Sequence, residues 1–179
     1  MVVRFEFPMT PVQKSAIPTT APDAVLFRSP QIDDGVRLWE IARDSKVLDL
    51  NSSYAYLLWC RDFSATSIVA EVDGRVVGFV SGYTRPSAQE TLFVWQVAVD
   101  EDQRGKAIAA RMLSDLMDRT APLGVTHLET TISPDNEASI ALFTALARRR
   151  EVPITRQNLF SPKDFPDGHE AEDLYTIGA

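Results

Sequence analysis

The order of apolar and polar residues predicts a chain in which strands and helices are mixed. Apolar runs typical of strands occur in five places: 24–28, 67–71, 75–83, 91–99 and 126–132. Apolar residues spaced three and four apart predict four helices: after Asp33/Asp34, after Ser52 or Ser53, from Gly105 to about Arg119, and after Asn136. Short strands are expected near 158–160 and 174–177. Asp73-Gly74 predicts a tight hairpin between the second and third strands.

The same periodicity predicts which helical residues face the core. They are Val36, Leu38, Trp39, Ile41 and Ala42 on the first helix, Ile108, Met112, Leu113 and Leu116 on the third, and Ile140, Phe143 and Ala147 on the fourth.

Length and composition indicate one globular domain over residues 23–179. With 45% hydrophobic and 24% charged residues the chain can bury a proper core, and no apolar run reaches the roughly 20 residues of a membrane span. Residues 1–22 are rich in proline, threonine and serine, and we expect a mobile tail there. The first residues lack the pattern of a secretory signal, so we expect a cytoplasmic protein.

The net charge, the single cysteine and the two histidines limit the possible partners and ligands. A net charge of −7 argues against nucleic acid or an anionic membrane as partner and suits a small cationic substrate. Cys60 lies in an apolar helical run and is expected to be a buried thiol. His127 and His169 lack metal-site spacing, so we expect no metal.

A strand, an acidic turn and a small-residue loop follow one another at residues 94–109. Arg104-Gly105-Lys106-Ala107-Ile108-Ala109 opens a helix, where free backbone N–H groups and the helix dipole can hold a pyrophosphate. The run resembles the acyl-CoA motif Arg/Gln-x-x-Gly-x-Gly/Ala of the GCN5-related N-acetyltransferases, with Arg104, Ala107 and Ala109 at its three positions. A methyl group at Ala107 is tolerable if φ is negative there. The alternative is an ordinary helix start after a turn.

A second motif, Asn136-Glu137-Ala138-Ser139-Ile140-Ala141-Leu142-Phe143, resembles the Asn-x-x-Ala-x-x-Leu-Tyr helix of that family. There the asparagine bridges to the cofactor and the tyrosine protonates the departing thiolate. Because Phe143 has no proton to give, either another group protonates CoA or the thiolate leaves unaided. Asn136 also suits a helix N-cap.

With both motifs in order, the chain is identified as a member of this superfamily. The resemblance implies an α/β (α+β) fold whose mixed, mostly antiparallel sheet is flanked by helices, with the fourth strand splayed from the fifth by a bulge. It implies acetyl-CoA as co-substrate, a homodimer, and an oxyanion held by the N–H of Val97. The implied cofactor contacts are Val97, Ala98, Val99, Arg104, Gly105, Lys106, Ala107, Ile108, Ala109, Asn136, Ser139 and Phe143.

A more specific resemblance covers about Arg28 to Arg148. Residues 44–58, 91–99 and 128–136 resemble the diaminobutyrate acetyltransferases of ectoine synthesis, which implies acetylation of the γ-amine of L-2,4-diaminobutyrate. The implied substrate residues are Asp49, Asn51, Tyr54, Trp95, Glu129 and Asn136, with Asp49 and Glu129 as partners of the ammonium groups. Val97, Glu129 and Tyr54 are the implied catalytic residues.

Each assignment has a simpler alternative. Asp49 suits a solvated turn, Tyr54 and Trp95 suit a core, and Glu129 suits a water-facing strand position. Acetylation of another small amine, such as a polyamine or an antibiotic, and a non-catalytic acyl-CoA sensor are the competing functions. The sequence leaves open the base that deprotonates the amine.

Overall fold

The computed structural model describes residues 24–178, and the predicted tail at 1–22 lies outside them. Seven strands and four helices are described: β1 (Leu26–Arg28), α1 (Gly35–Ser45), α2 (Ser53–Asp62), β2 (Ile68–Val72), β3 (Arg75–Arg85), β4 (Ala88–Val99), α3 (Ile108–Thr120), β5 (His127–Ile132), α4 (Glu137–Arg149), β6 (Ile154–Phe160) and β7 (Glu172–Ile177). This order agrees with the predicted one.

The described strands form one sheet in the order β1-β2-β3-β4-β5-β7-β6. All neighbours are antiparallel except β4 and β5, which run parallel. The predicted mixed, mostly antiparallel sheet flanked by helices is therefore confirmed. The parallel neighbours β4 and β5 are connected by a crossover through α3, as parallel pairing requires. The chain also passes through α4 between β5 and β6, which leaves the position between them to β7.

Two hydrophobic clusters cover the two faces of the sheet. One contains residues of α3 and α4, including Met112 and Leu146, and the other contains residues of α1 and α2, including Leu38 and Tyr56. Along β2, Ile68 belongs to the first cluster and Val69 to the second, because successive strand side chains point to opposite faces. The sheet is thus the middle layer of three.

Some sequence predictions are wrong in detail. Val36 is 62% exposed, because the buried stripe of α1 runs along Gly35, Leu38, Ile41 and Ala42 and leaves Val36 on the solvent side. Helix α3 begins at Ile108 instead of Gly105. Strands β6 and β7 are longer than expected, because their pairing with each other extends beyond the short apolar runs.

Other local predictions are confirmed. Asp73 and Gly74 have φ values of 50° and 79°, as a two-residue hairpin turn requires. Cys60 is buried, and desolvation raises the pKa of its thiol to about 11, so the thiol is neutral. Within residues 24–178, no helix has both the length and the apolar character needed to cross a membrane.

Candidate active site

A β-bulge at Trp95 divides β4 into two halves that face opposite ways. Val94 pairs with Gly82 and Gln96 pairs with Ser81, which leaves Trp95 as the extra residue. In a regular strand Val94 and Ala98, four residues apart, would face the same side of the sheet. Here Val94 belongs to the cluster under α3 and α4, and Ala98 belongs to the cluster under α1 and α2. The bulge therefore reverses which side chains face each layer.

The parallel strands β4 and β5 separate just before this bulge. Their pairing covers only Thr91–Phe93 and His127–Glu129 within the described chain. Beyond these residues β4 continues along β3 and β5 continues along β7, so a wedge-shaped opening lies between them. The predicted separation of the fourth and fifth strands is confirmed.

Successive residues of β4 point their backbone N–H and C=O groups alternately towards β3 and towards the opening. The Asp100 N–H donates to the Val77 carbonyl over 2.8 Å, so the pairs Val99–Gly78 and Val97–Val80 are of the non-hydrogen-bonded kind. Their N–H and C=O groups point away from β3. Arg104 Nε donates to the Val99 carbonyl over 3.3 Å, which agrees with a carbonyl that points away from β3. The Val97 N–H is therefore available to an oxyanion in the opening.

A groove of about 720 Å³ runs from this opening towards the start of α3. It is lined by residues that include Val97, Ala98, Val99, Arg104, Ala109, Asn136, Ser139 and Leu142. A second hollow, of about 380 Å³, continues it past Gly105, Ala107 and Ile108. Most of the predicted cofactor residues therefore share one continuous surface. The Lys106 ammonium donates to Gln103 Oε1 over 2.8 Å beside it.

The backbone at the start of α3 is left-handed. Ala107 has φ 55° and ψ 23°, so the negative φ under which a methyl group would be tolerated there is not found, and Gly105 has φ 78°. The turn at 101–103 must reverse into the helix within a few residues, and left-handed residues make that reversal. The Ala107 carbonyl accepts the Arg111 N–H over 3.0 Å as the first helical bond. The N–H groups of the first turn consequently have no intrahelical partner and point at the groove.

A smaller cavity of about 230 Å³ adjoins the groove at the bulge. Four segments enclose it: the α1–α2 loop, the bulge, the end of β5 with the start of α4, and the β6–β7 segment. The polar residues that line it are Asp49, Gln96, Thr130, Thr131, Ser133, Asn136, Ser139, His169 and Glu172, with Trp95 and Phe143 among the apolar ones. Asn136 and Ser139 line both the groove and the cavity, so the two meet there.

Several predicted substrate residues lie at this cavity. The Asp49 carboxylate is at its mouth, with 87% of the side chain exposed. Asn51 is next to it and donates from Nδ2 to the Asp49 carbonyl over 3.4 Å. Asn136 Oδ1 accepts the Ser139 N–H over 3.0 Å as the N-cap of α4. The buried ring of Phe143 forms part of the wall.

Two predicted residues lie elsewhere. Tyr54 is on the outer side of α2, 65% exposed, and does not line the cavity. Glu129 is not among the residues that line the cavity, and its carboxylate accepts a hydrogen bond from Arg85 Nη1 over 2.8 Å. Because the guanidinium already neutralises Glu129, this carboxylate has less to offer a substrate ammonium.

Sequence reasoning missed the contribution of the β6–β7 segment. His169 Nε2 lies 3.3 Å from Asp49 Oδ2, its Nδ1 donates to the Glu170 carbonyl, and its ring stacks on Phe165. The bond to Glu170, followed by the bond to Asp49, raises the pKa of His169. Glu172 accepts a hydrogen bond from the Ser133 hydroxyl over 2.9 Å. Isolated residues in a segment without periodicity carried no signal that could have indicated this placement.

No group of three His, Cys, Asp or Glu side chains between residues 24 and 178 has an arrangement that could hold a metal ion. The geometry instead offers an anion-binding helix start, a strand opening with free N–H groups, and an acidic cavity beside them. Such an arrangement can hold a phosphorylated acyl carrier and bring a cationic acceptor to its acyl group.

Comparisons with known proteins agree with this geometry. Residues 35–147 match the family model described as the acetyltransferase (GNAT) family. The chain is 60% identical over 152 residues to an L-2,4-diaminobutyric acid acetyltransferase of Nocardia farcinica, covering 85% of this chain and 79% of that protein. It is 58% identical to one of Streptomyces coelicolor, over 83% of this chain and 89% of that protein.

A solved structure is also similar. It is the diaminobutyrate acetyltransferase EctA from Paenibacillus lautus in complex with its substrate L-2,4-diaminobutyric acid and coenzyme A. The identity is 45%, the TM-score is 0.82, and the match covers 87% of this chain and 95% of that one.

Proposed function

The chain belongs to the acetyltransferase (GNAT) family, and on that premise we propose that it transfers the acetyl group of acetyl-CoA to the γ-amine of L-2,4-diaminobutyrate. The observation that carries the proposal is the opening between β4 and β5, where the Val97 N–H faces both the cofactor groove and the acidic cavity. The relatives that act on diaminobutyrate support the choice of amine.

On the cofactor side, the residues of this chain bind and orient. The first turn of α3, with Arg104 and Lys106 beside it, holds the pyrophosphate. The open edge of β4 offers the Val97 C=O and the Val99 N–H to the pantetheine amides, as a neighbouring strand would. The acetyl oxygen then lies against the Val97 N–H, which stabilises the negative charge of the tetrahedral intermediate.

On the acceptor side, the cavity must hold a molecule with two amines and one carboxylate. Asp49 and Glu172 place carboxylates at the cavity, and Trp95 and Phe143 provide apolar walls. Anchoring the α-amino acid end leaves the γ-nitrogen pointing to the thioester, at the end of a two-carbon arm. The geometry favours Asp49, Trp95 and Asn136 over Tyr54 and Glu129 for contact with the amine.

The reaction needs a neutral γ-amine. Its lone pair forms the C–N bond to the thioester carbon, the C–S bond breaks, and the nitrogen loses one proton to water, so the products are the amide, the CoA thiolate and a solvated proton. Phe143 cannot protonate the departing sulfur, and the modest pKa of a thiol allows the thiolate to leave as an anion. Holding the two reactants at a fixed approach supplies much of the rate.

We further propose that the product serves ectoine synthesis, and that the enzyme is a cytoplasmic homodimer. The use of acetyl-CoA supports a cytoplasmic location. Strand β6 supports a homodimer, because it pairs only with β7 among the described strands and exposes Leu159 and Phe160. Sedimentation over a concentration range tests the dimer, since a monomer at all concentrations would contradict it.

Release of CoA thiol from acetyl-CoA, measured with a panel of amines, tests the proposed reaction. We expect diaminobutyrate to be the best acceptor, and NMR of the product to show acetylation at the γ-nitrogen. A polyamine or an aminoglycoside as the best acceptor would indicate another small-amine acetyltransferase. Tight acetyl-CoA binding without thiol release from any amine would indicate a sensor module.

A further inference from the structure

Helix α2 contacts the bulge of β4 through two side chains one turn apart. Tyr56 and Trp59 are three residues apart and thus lie on one side of the helix. The Tyr56 hydroxyl donates to Gln96 Oε1 over 3.2 Å, and the Trp59 ring lies 4.4 Å from the Trp95 ring. Two consecutive residues of the bulge are therefore held by the same helix.

The Gln96 carboxamide links β4 to α2 and to the loop between α1 and α2. Gln96 is 5% exposed, and its Nε2 donates to the Asp49 carbonyl over 2.9 Å. Its other end accepts the Tyr56 hydroxyl, and the Gln96 side chain itself lines the cavity. A rotated carboxamide would put its oxygen against the Asp49 carbonyl, two acceptors facing each other, so the Asp49 carbonyl selects this orientation. The Tyr56 hydroxyl then donates to the carboxamide oxygen and holds it in place.

Few other contacts hold the Asp49 loop. Val47 and Leu50 on either side of it are exposed, and Leu48 packs only partly against the cluster under α1 and α2. The Asp49 carboxylate itself reaches only an exposed contact with His169. Among the described residues, the other backbone hydrogen bonds of this loop are local, with Ser45 and Asn51, so the Gln96 bond to the Asp49 carbonyl is the hydrogen bond that ties the loop to the bulge.

We propose that Gln96, held in place by Tyr56, is a positioning residue for the amine: it holds the Asp49 loop at the distance from Trp95 and Val97 that the acceptor requires. The inference rests on the proposed amine acetylation and extends it to specificity. Because Gln96 acts through Asp49, losing its amide weakens the use of the amine and leaves the pyrophosphate site at α3 unaffected.

Three variants distinguish a role of Gln96 in positioning the Asp49 loop from a general effect on the stability of the protein. Gln96→Met keeps the size and removes the carboxamide, and Tyr56→Phe removes only the hydroxyl that donates to it. Thr120→Val is the matched control, because its buried hydroxyl donates to the Leu116 carbonyl at the end of α3, where no residue lines the cavity. Tyr56→Phe and Thr120→Val each lose one buried hydroxyl, whereas Gln96→Met loses two hydrogen bonds, one with Tyr56 and one with Asp49. Only Gln96→Met and Tyr56→Phe change contacts that lead to Asp49.

The measurements are thermal unfolding, calorimetric binding of CoA, and KM for diaminobutyrate and for acetyl-CoA. We expect Gln96→Met to raise KM for the diamine about tenfold and Tyr56→Phe about threefold, with KM for acetyl-CoA within about twofold of wild type. Thr120→Val should lower the unfolding temperature and leave both constants unchanged. If Gln96→Met lowers the unfolding temperature but leaves KM for the diamine at the wild-type value, the positioning role is refuted.

A fourth variant adds a readout that a structural role would not produce. In Gln96→Glu an ionised carboxylate still accepts from Tyr56 but repels the Asp49 carbonyl, whereas a protonated carboxyl donates to it. Burial raises the pKa of such a carboxyl. The ratio of the variant's diamine KM to that of wild type should therefore fall towards one as the pH is lowered. A ratio independent of pH would count against the proposed contact.

Failure of the proposed function is distinguishable from failure of this inference. If another amine proves to be the best acceptor of the wild type, the same variants are measured with that amine. A raised KM for it supports positioning by Gln96 although diaminobutyrate is then the wrong substrate. An unchanged KM for the best amine refutes the positioning role whatever that amine is.

Discussion

Removing the methyl group of Ala107 should stabilise the protein, although glycine usually destabilises. A residue with a Cβ loses about 1–2 kcal/mol in the left-handed conformation that Ala107 adopts. Glycine avoids this cost but loses roughly 0.4–1 kcal/mol through the greater freedom of the unfolded chain. Ala107 is exposed, so its methyl contributes little packing. The net gain for Ala107→Gly is therefore about 1 kcal/mol.

Thermal unfolding measures this gain directly. For a domain of this size about 1 kcal/mol corresponds to a rise in Tm of roughly 2–4 °C. The matched control is Ala145→Gly, an exposed position in the middle of α4, where the same substitution costs about 1 kcal/mol and should lower Tm by a similar amount. The two substitutions are chemically identical, so opposite signs isolate the backbone conformation as the cause.

The same residue also connects stability with cofactor binding. Ala107→Val introduces a β-branched side chain that the left-handed conformation strongly disfavours, so the loop must rearrange. We expect a lower Tm and a strongly raised KM for acetyl-CoA, because the N–H groups of the first turn of α3 move with the loop. If Ala107→Gly lowers Tm as much as Ala145→Gly does, the strain argument is refuted. An unchanged acetyl-CoA KM in Ala107→Val would place the phosphates elsewhere.

Three further predictions concern the acceptor cavity. Asp49→Asn removes a charge-assisted hydrogen bond of about 1.5–3 kcal/mol. Calorimetry should therefore show diaminobutyrate binding weakened about 10- to 100-fold, with CoA affinity unchanged. Unaltered diamine binding would exclude the contact. The raised pKa of His169 means that its ionic contact with Asp49 is present below the ordinary imidazole range and is lost as the pH rises through the raised value. An NMR titration should give a lower His169 pKa in Asp49→Asn than in wild type. Equal pKa values in the two proteins would contradict this. Ornithine has an acceptor arm one methylene longer than diaminobutyrate, and diaminopropionate has one that is one methylene shorter. Either change misplaces the nucleophile by about a bond length and should lower kcat/KM about 10²-fold. Equal turnover of ornithine would favour a general amine acetyltransferase.

Local sequence was sufficient for the order of elements and for the grouping of residues 104–109 at the start of α3. The periodicity of the helices, the Asp73-Gly74 turn and the capping residue Asn136 are each decided by neighbours within a few positions, so they could be predicted. The run from Arg104 to Ala109 lies in one turn, and its residues therefore share one surface whatever the rest of the chain does. Even there, the sign of φ at Ala107 depends on how the preceding turn meets the helix.

The acceptor side was decided by tertiary structure. The bulge at Trp95 reverses the alternation of β4, and only the pairing of β4 with β3 shows where the extra residue lies. His169 reaches Asp49 across 120 residues of sequence, Gln96 reaches it across 47, and Glu129 is instead bound to Arg85. Contacts between residues so far apart form only where separately folded elements pack, and no local pattern records which side chains that packing brings together.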